Sequence, residues 1–448
     1  MLKTKIAGLA GLSLLGWLNA ASTQAQGLGN SPYSRLGLGD AYINTGGVRQ
    51  MAMGGVGLAA PNGSNVNELN PALVYYTSRT TYEVAITGQF KTISNRTSSQ
   101  RDGSGTLGYL AFAVPISKRW AAAAGLRPYT AVDYESTTSG TVTGDPNSQS
   151  INRFTGDGGL SEAYMVHAFR LAKGLTVGGT ASYVFGTIDA TSSTTVITPT
   201  SSETNTQSTV RLEHVRYSDF IFRAGAHYRS KLSDKLNYNL AAVYGFQSNL
   251  NGTYDVSQEQ RTLGGAPIAN TNIPLVTGQK GEARVPTLAQ FGVSIDNNRN
   301  WSASLDVARQ QWSRFQVPVL AGVTSAANVP LSDTYRIGLG GELSPDPTNV
   351  DSYFKRIIYR AGVSVAEIPY RPGGQRLYDR AVSWGFGLPL PGATPLDATT
   401  LSLAFTYGQR GNTNVTIDSP SGNVKENYIR MQLGLSLNNR WFIKRRIE

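Results

Sequence analysis

Apolar residues recur at every second position in one segment after another of this chain, and that alternation limits the fold more than any other feature. Phe220, Phe222, Ala224, Ala226 and Tyr228 alternate with Ile221, Arg223, Gly225, His227 and Arg229. Leu236, Tyr238, Leu240, Ala242, Tyr244 and Phe246 repeat the pattern, as do Ile357–Val363, Leu401–Tyr407 and Ile429–Leu437. A period of two belongs to β-strands, whose successive side chains point to opposite faces. One face of each segment is apolar and must be covered. The other mixes small, polar and charged side chains, including arginines that a dry core does not accept unpaired. A soluble sandwich would bury the apolar face. Lipid outside and a wet or plugged lumen inside satisfies both.

Fourteen such segments can be marked, near 80–93, 105–116, 119–136, 160–171, 174–189, 215–230, 235–252, 284–296, 300–311, 333–343, 354–366, 378–388, 397–409 and 427–438. Each approaches the ~9–11 residues that a tilted strand needs to cross a bilayer. Ser117-Lys118, Ala172-Lys173-Gly174, Lys231–Asp234 and Asn297–Arg299 read as tight turns. Longer polar links near 137–159, 190–214, 253–283 and 312–332 alternate with them and read as loops, the Ser/Thr-rich 190–214 as a mobile one. Short periplasmic turns and long extracellular loops give that rhythm in outer-membrane barrels. Aromatics near strand ends, among them Trp120, Trp301, Trp384, Tyr82, Tyr335 and Trp441-Phe442, suit interfacial girdles. The expected fold is all-β: a transmembrane antiparallel β-barrel of about 14 strands, over residues 80–448.

The N-terminus agrees with export. Lys3 and Lys5 precede an apolar stretch from Ile6 to Leu18 and the small residues around Ala25. That is the pattern of a signal peptide over residues 1–25, and the stretch is shorter than the roughly 18 apolar residues of a spanning helix. With no cysteine, disulfides, thiolate chemistry and a lipid-bearing N-terminal cysteine are excluded. The net charge of +11 is scattered rather than gathered into a tract, which speaks against nucleic acid as a partner. The three histidines, His167, His214 and His227, have no metal-ligand spacing. Gly55-Val56-Gly57-Leu58-Ala59-Ala60 loosely resembles a dinucleotide fingerprint but lacks a βαβ context. No nucleophile elbow is present. No cofactor, metal or enzyme activity is expected.

Residues 26–79 do not alternate and are too apolar and Gly-rich for a tail. A barrel of fourteen strands has a lumen that needs filling, so this segment is expected to be a hatch folded inside it. Here Gly54 and Gly55 after Met53, and then Asn70-Pro71-Ala72 just before the first strand, resemble the FadL family of outer-membrane proteins. The opening Ser31–Arg35 and the Trp-Phe-Ile-Lys-Arg-Arg ending resemble versions seen in Bacteroidetes. The resemblance implies fourteen strands, an N-terminal hatch carrying the Asn-Pro-Ala, and passage of long-chain fatty acids or other hydrophobic molecules across the Gram-negative outer membrane. Asn-Pro is also a turn former in its own right, which favours a structural role.

The resemblance also implies a lateral opening at an inward kink of the third strand. Gly125 and Pro128 lie there; proline cannot donate a ladder hydrogen bond and glycine permits a bend. Lumen-facing charges are expected at Arg223, His227, Arg336, Glu342, Arg360 and Arg430, with Arg35, Asp40 and Arg49 in the hatch. Arginine's donor fork suits a carboxylate ligand, but pairing with the plug accounts for these residues more simply. Two functions follow. One is uptake of a hydrophobic small molecule through hatch and wall. The other is a plugged scaffold or adaptor subunit of an outer-membrane secretion or barrel-assembly complex, with protein partners, since FadL-like barrels of Bacteroidetes include such subunits. Outer-membrane lipid surrounds the chain in either case.

Overall fold

The computed structural model describes residues 30–35, 38–41, 46–201, 206–317, 330–390, 398–416 and 422–439. The expected signal peptide and Trp441-Phe442 lie outside the described residues. The wall runs through β2 (Thr80–Ser94), β3 (Ser99–Ser117), β4 (Trp120–Val142), β5 (Asp145–Ala172), β6 (Leu175–Ile197) and β7 (Gln207–Lys231). It continues through β8 (Asn237–Gly245), β9 (Ser248–Thr262), β10 (Ile273–Val285), β11 (Leu288–Asp296), β12 (Trp301–Gln310) and β13 (Thr334–Leu343). The last four are β14 (Ile358–Glu367), β15 (Tyr378–Leu390), β16 (Ala398–Gly411) and β17 (Lys425–Asn439). β8 and β9 lie end to end, as do β10 and β11, so these sixteen segments make fourteen staves. β17 pairs with β2 from Asn439↔Thr80 to Lys425↔Ser94 and closes the antiparallel barrel.

The period-two pattern sorts residues as expected. Phe220, Phe222, Leu240, Phe291, Leu339, Val363 and Ile429 are exposed on the outer face, whereas Gln89, Ser294, Asp306, Arg360 and Gln432 are buried toward the lumen. An exposed apolar belt of this extent is stable only against lipid.

The polar stretches behave differently from expectation. Much of 137–159, 190–214 and 253–283 is not loop: β4, β5, β6, β7, β9 and β10 run through them as paired strands. Alternating hydropathy marks only the part of a strand that borders lipid. Beyond it, Thr- and Ser-rich chain keeps its ladder hydrogen bonds with both faces wet or lightly covered. The inner side of this extension still holds an apolar cluster that includes Leu160, Tyr217, Leu250, Tyr254 and Val256.

Candidate functional site: the hatch and its seat

The hatch enters the lumen through short elements. A 3₁₀ turn (Pro32–Arg35) leads to β1 (Asp40–Ala41), α1 (Val48–Ala52) follows, and a second 3₁₀ turn (Pro71–Tyr76) leads into the wall. β1, absent from the sequence expectation, pairs with Thr130 and Ala131 of β4. Val48, Met51, Ala52, Val66 and Val74 pack against inward alanines of the wall, among them Ala85, Ala113, Ala121, Ala123 and Ala404.

Glycines make room for this. Gly178 and Gly225 face each other across β6 and β7. A Cβ at Gly178 would stand 2.5 Å from the Pro71 carbonyl carbon, and one at Gly225 would stand 2.3 Å from Asn70 Oδ1. Gly340 and Gly362, also paired, receive the Met53–Gly54 backbone in the same way. Gly385 faces Ala52, Gly434 faces Val48, and Gly292 faces Leu58. Glycine permits an approach of backbone to wall that any Cβ would prevent.

Asn70, Pro71 and Ala72 sit at the centre of this seat. Asn70 caps the second 3₁₀ turn: its Oδ1 accepts from the Ala72 N–H at 3.0 Å, and its Nδ2 donates to the Leu58 carbonyl at 2.8 Å. The residue is fully buried. Gly54 and Gly55 have φ of 76° and 69°, left-handed values that favour glycine. Their turn presents both carbonyls to Arg336, whose Nη2 and Nη1 donate at 2.5 and 3.2 Å.

Four clusters of charge hold hatch to wall. Arg49 meets Glu342 of β13 at 2.6 Å, and Arg360 of β14 meets the same carboxylate at 3.2 Å. Glu68 of the hatch meets Arg127 of β4 at 3.4 Å and accepts from the Tyr164 hydroxyl at 2.7 Å. Arg127 and Arg223 also converge on Glu162, each at 3.0 Å. Asp306 of β12 accepts from the backbone N–H of Gly57 and Leu58 at 2.7 and 3.0 Å. Asp40 forms a two-pronged pair with Arg410 of β16, at 2.8 and 2.9 Å. Burial opposes ionisation of Asp40, but the guanidinium beside it holds the carboxyl below the usual carboxylate range.

The remaining predicted positions sort as follows. His227 faces Tyr76, with Nδ1 3.2 Å from the hydroxyl. Arg430 donates to Gln89 and lines the space above the hatch. Arg35 lies away from the seat, its guanidinium 4.9 Å from the Phe154 ring centroid. Gly125 is packed under Leu110 and Tyr164. The β3–β4 ladder ends at Leu110↔Leu126, just short of Pro128, so that proline has no β3 partner to lose. Above that point hatch residues take the edge of β4: Ser31 N–H donates to the Asp133 carbonyl at 2.7 Å, Glu135 N–H donates to Asn30, and Asn30 N–H donates to Asp102 of β3. The seam at strand three is thus stitched by the hatch itself.

Sequence reasoning missed Glu68, Arg127, Glu162, Asp306, Arg410 and the seat glycines. Most were visible in outline: Asp306 stands between the lipid-facing Leu305 and Val307, and the glycines occupy the lumen phase of their strands. Above the hatch lies a solvent-open space of about 1640 Å³ whose lining includes Asp40, Lys91, Asp379, Arg410, Glu426 and Arg430.

A closed antiparallel barrel of fourteen staves is the fold of FadL-like barrels, and solved structures share it. The chain is similar to the CymD monoaromatic hydrocarbon channel (16% identity, TM-score 0.52, covering 90% of this chain and 99% of that one). It is also similar to the Ralstonia pickettii toluene transporter TbuX (16%, 0.52, 89% and 100%) and to a Pseudomonas aeruginosa FadL homologue (14%, 0.54, 89% and 98%). At such identities the likeness shows the fold alone. The BamG family model matches residues 10–448, and the chain belongs to the BamG family. Comparison with curated proteins gives no match.

Proposed function

We propose that this chain is a permanently plugged barrel acting as a scaffold or adaptor subunit of a larger outer-membrane complex for secretion or barrel assembly. The observation that carries this reading is the fastening of the hatch. Charged side chains on β4, β12, β13 and β16 grip Arg49, Glu68, the Gly54–Leu58 backbone and Asp40. Withdrawing the hatch would leave Glu342, Arg127 and Asp306 in the lumen without their hatch partners, at a cost of several kcal/mol for a buried ion pair broken. The space above the plug is lined by ions of both signs, among them Asp40, Lys91, Arg410 and Glu426, together with apolar side chains such as Met51, Trp312, Leu331 and Ile368.

A second reading, uptake of hydrophobic molecules with lateral exit at Gly125 and Pro128, draws support from the short β3–β4 ladder and from the fold shared with hydrocarbon channels. It requires the hatch to leave the edge of β4.

Locking the plug separates the two. The chain has no cysteine, and a Cβ at Gly434 would stand 3.4 Å from Val48 Cβ, close to the separation across a disulfide. In Val48→Cys/Gly434→Cys the scaffold reading predicts equal function in the oxidised and reduced states. Loss of function on oxidation, restored by reductant, would establish a moving hatch.

A further inference from the structure

The two ends of the barrel carry their charge differently. At the end reached by the long strand extensions, basic side chains have acidic neighbours. Arg153 pairs with Glu135 at 2.9 Å, Arg211 with Glu213 at 2.8 Å and Arg261 with Glu259 at 2.6 Å. The other end has the short turns and the point where the hatch joins β2, and in outer-membrane barrels the short turns face the periplasm. There the β3–β4, β5–β6 and β7–β8 turns and the strand ends beside them carry Lys118, Arg119, Arg170, Lys173, Lys231 and Lys235, all exposed. Asp234 is the one acid in these turns. None of the six basic side chains is ion-paired among the described residues. Like charges gathered on one rim repel each other, and their combined field attracts an anionic partner.

A groove of about 440 Å³ opens inside this rim. Its floor is the last stretch of the hatch, Tyr75 to Ser78, and its sides include Ser117, Lys118, Arg170 and Thr176. Tyr75 and Tyr76 meet edge to face, with ring centroids 5.3 Å apart. The Tyr75 hydroxyl donates to the Lys118 carbonyl at 3.3 Å, and Arg170 Nη1 reaches that hydroxyl at 3.5 Å. A guanidinium has five N–H donors, so Arg170 keeps several for another acceptor. Arg229, also on the groove, is already taken by Asp296 at 2.7 Å. Arg170 and Thr176 share their strand faces with the buried Ala168 and Thr180. They therefore point into the lumen, and the groove opens on water at the barrel mouth rather than on the bilayer.

We propose that this mouth docks an acidic segment of a periplasmic protein. Its carboxylates meet Arg170, Lys118 and the rim lysines, and its chain rests on Tyr75 and Tyr76. Arginine's fork holds a carboxylate with two hydrogen bonds, and tyrosine offers apolar contact area with a polar tip. A lipid headgroup would have to leave the bilayer to enter the groove. The proposal deepens the scaffold reading by giving the chemistry of one partner, and it rests on that reading for the partner's presence in the cell.

The test uses the isolated full chain in phosphatidylcholine nanodiscs, so its outcome is separate from whether a larger complex is found. The probe is a fluorescent peptide of alternating glutamate and alanine, followed by polarisation. Saturable binding is expected, weakening as salt rises beyond ~0.1 M, where the Debye length is about 10 Å. Binding should be about ten-fold weaker in Lys118→Glu/Arg170→Glu. Arg101→Glu/Lys280→Glu, the same change of charge at the opposite end, should bind as the unsubstituted chain does. Equal loss in both double variants, or loss in neither, would overturn the proposal. So would loss of peptide binding when phosphatidylglycerol replaces the neutral lipid, which would assign the rim to lipid headgroups. Arg170 touches the hatch, so if its variant does not fold, Lys173→Glu/Lys231→Glu, outside the groove, takes its place with the same expected weakening.

Discussion

Gly340 and Gly362 face each other across the β13–β14 ladder, and the Met53 carbonyl lies in the trough between them. A Cβ at Gly340 would come 2.1 Å from that oxygen, and one at Gly362 would come 2.2 Å from it. The contact is with backbone on both sides, so neither partner can rotate away. Gly340→Val is expected to displace the hatch without opening the barrel. Hydrogen–deuterium exchange of residues 48–60 should rise steeply, while the strands stay protected. Gly140→Val, where a Cβ would meet only Ser150 Oγ at 4.0 Å, should leave the hatch protected.

Glu342 binds two arginines, one from the hatch and one from the wall. Glu342→Gln keeps its size and removes its charge, leaving Arg49 and Arg360 buried side by side. Breaking one partner out of a buried ion group costs about 3–5 kcal/mol. The variant is expected to unfold at lower denaturant concentration than the wild type, with the hatch cut by protease before the barrel. Unchanged protease resistance would mean that the ion group does not hold the plug.

Asn70 distinguishes a turn residue from a ligand residue. Asn70→Ala removes both the cap and the bond to Leu58, with a loss of about 1–2 kcal/mol for the cap alone. Asn70→Asp keeps the acceptor for Ala72 but places an anion against the Leu58 carbonyl. Both should raise exchange in residues 67–76. A variant that altered ligand uptake while leaving exchange untouched would point to contact with cargo instead.

The Asp40–Arg410 pair gives the hatch a dependence on acid. The folded carboxyl ionises below its ordinary range, held there by Arg410 against the effect of burial. The pair's contribution is therefore fully present above the unfolded value, near ~3.9 for aspartate. It is lost as pH falls through the folded value, which lies lower still. Exchange around residues 38–41 should be flat from neutral pH down to about 4 and rise below that. Asp40→Asn should show the higher exchange at every pH.

The strand count, the closed barrel and the phase of each strand were legible because lipid imposes a one-residue alternation that leaves no ambiguity between faces. Phe220 and Arg223 announce their sides by chemistry alone. Outside lipid that constraint vanishes, and β4 to β7, β9 and β10 continue through Thr- and Ser-rich chain that hydropathy alone assigns to loops. The seat was only half legible. Gly225 and Gly362 could be placed on the lumen face, but that they receive Asn70 and Met53 is a non-local fact. The pairing of Glu68 with Arg127 is of the same kind, since neither residue's neighbours in sequence indicate the other. Arg223 was expected in the lumen, and that it shares Glu162 with Arg127 is again a non-local fact.

The central claim is that the hatch is a fixture and the barrel a part of something larger. Native mass spectrometry of the protein extracted gently from its own outer membrane tests this most directly. The account predicts a mass at fixed stoichiometry with other membrane proteins, retained in the Val48→Cys/Gly434→Cys variant after oxidation. A solitary barrel carrying a hydrophobic ligand inside the lumen, released when the plug is freed, would contradict it.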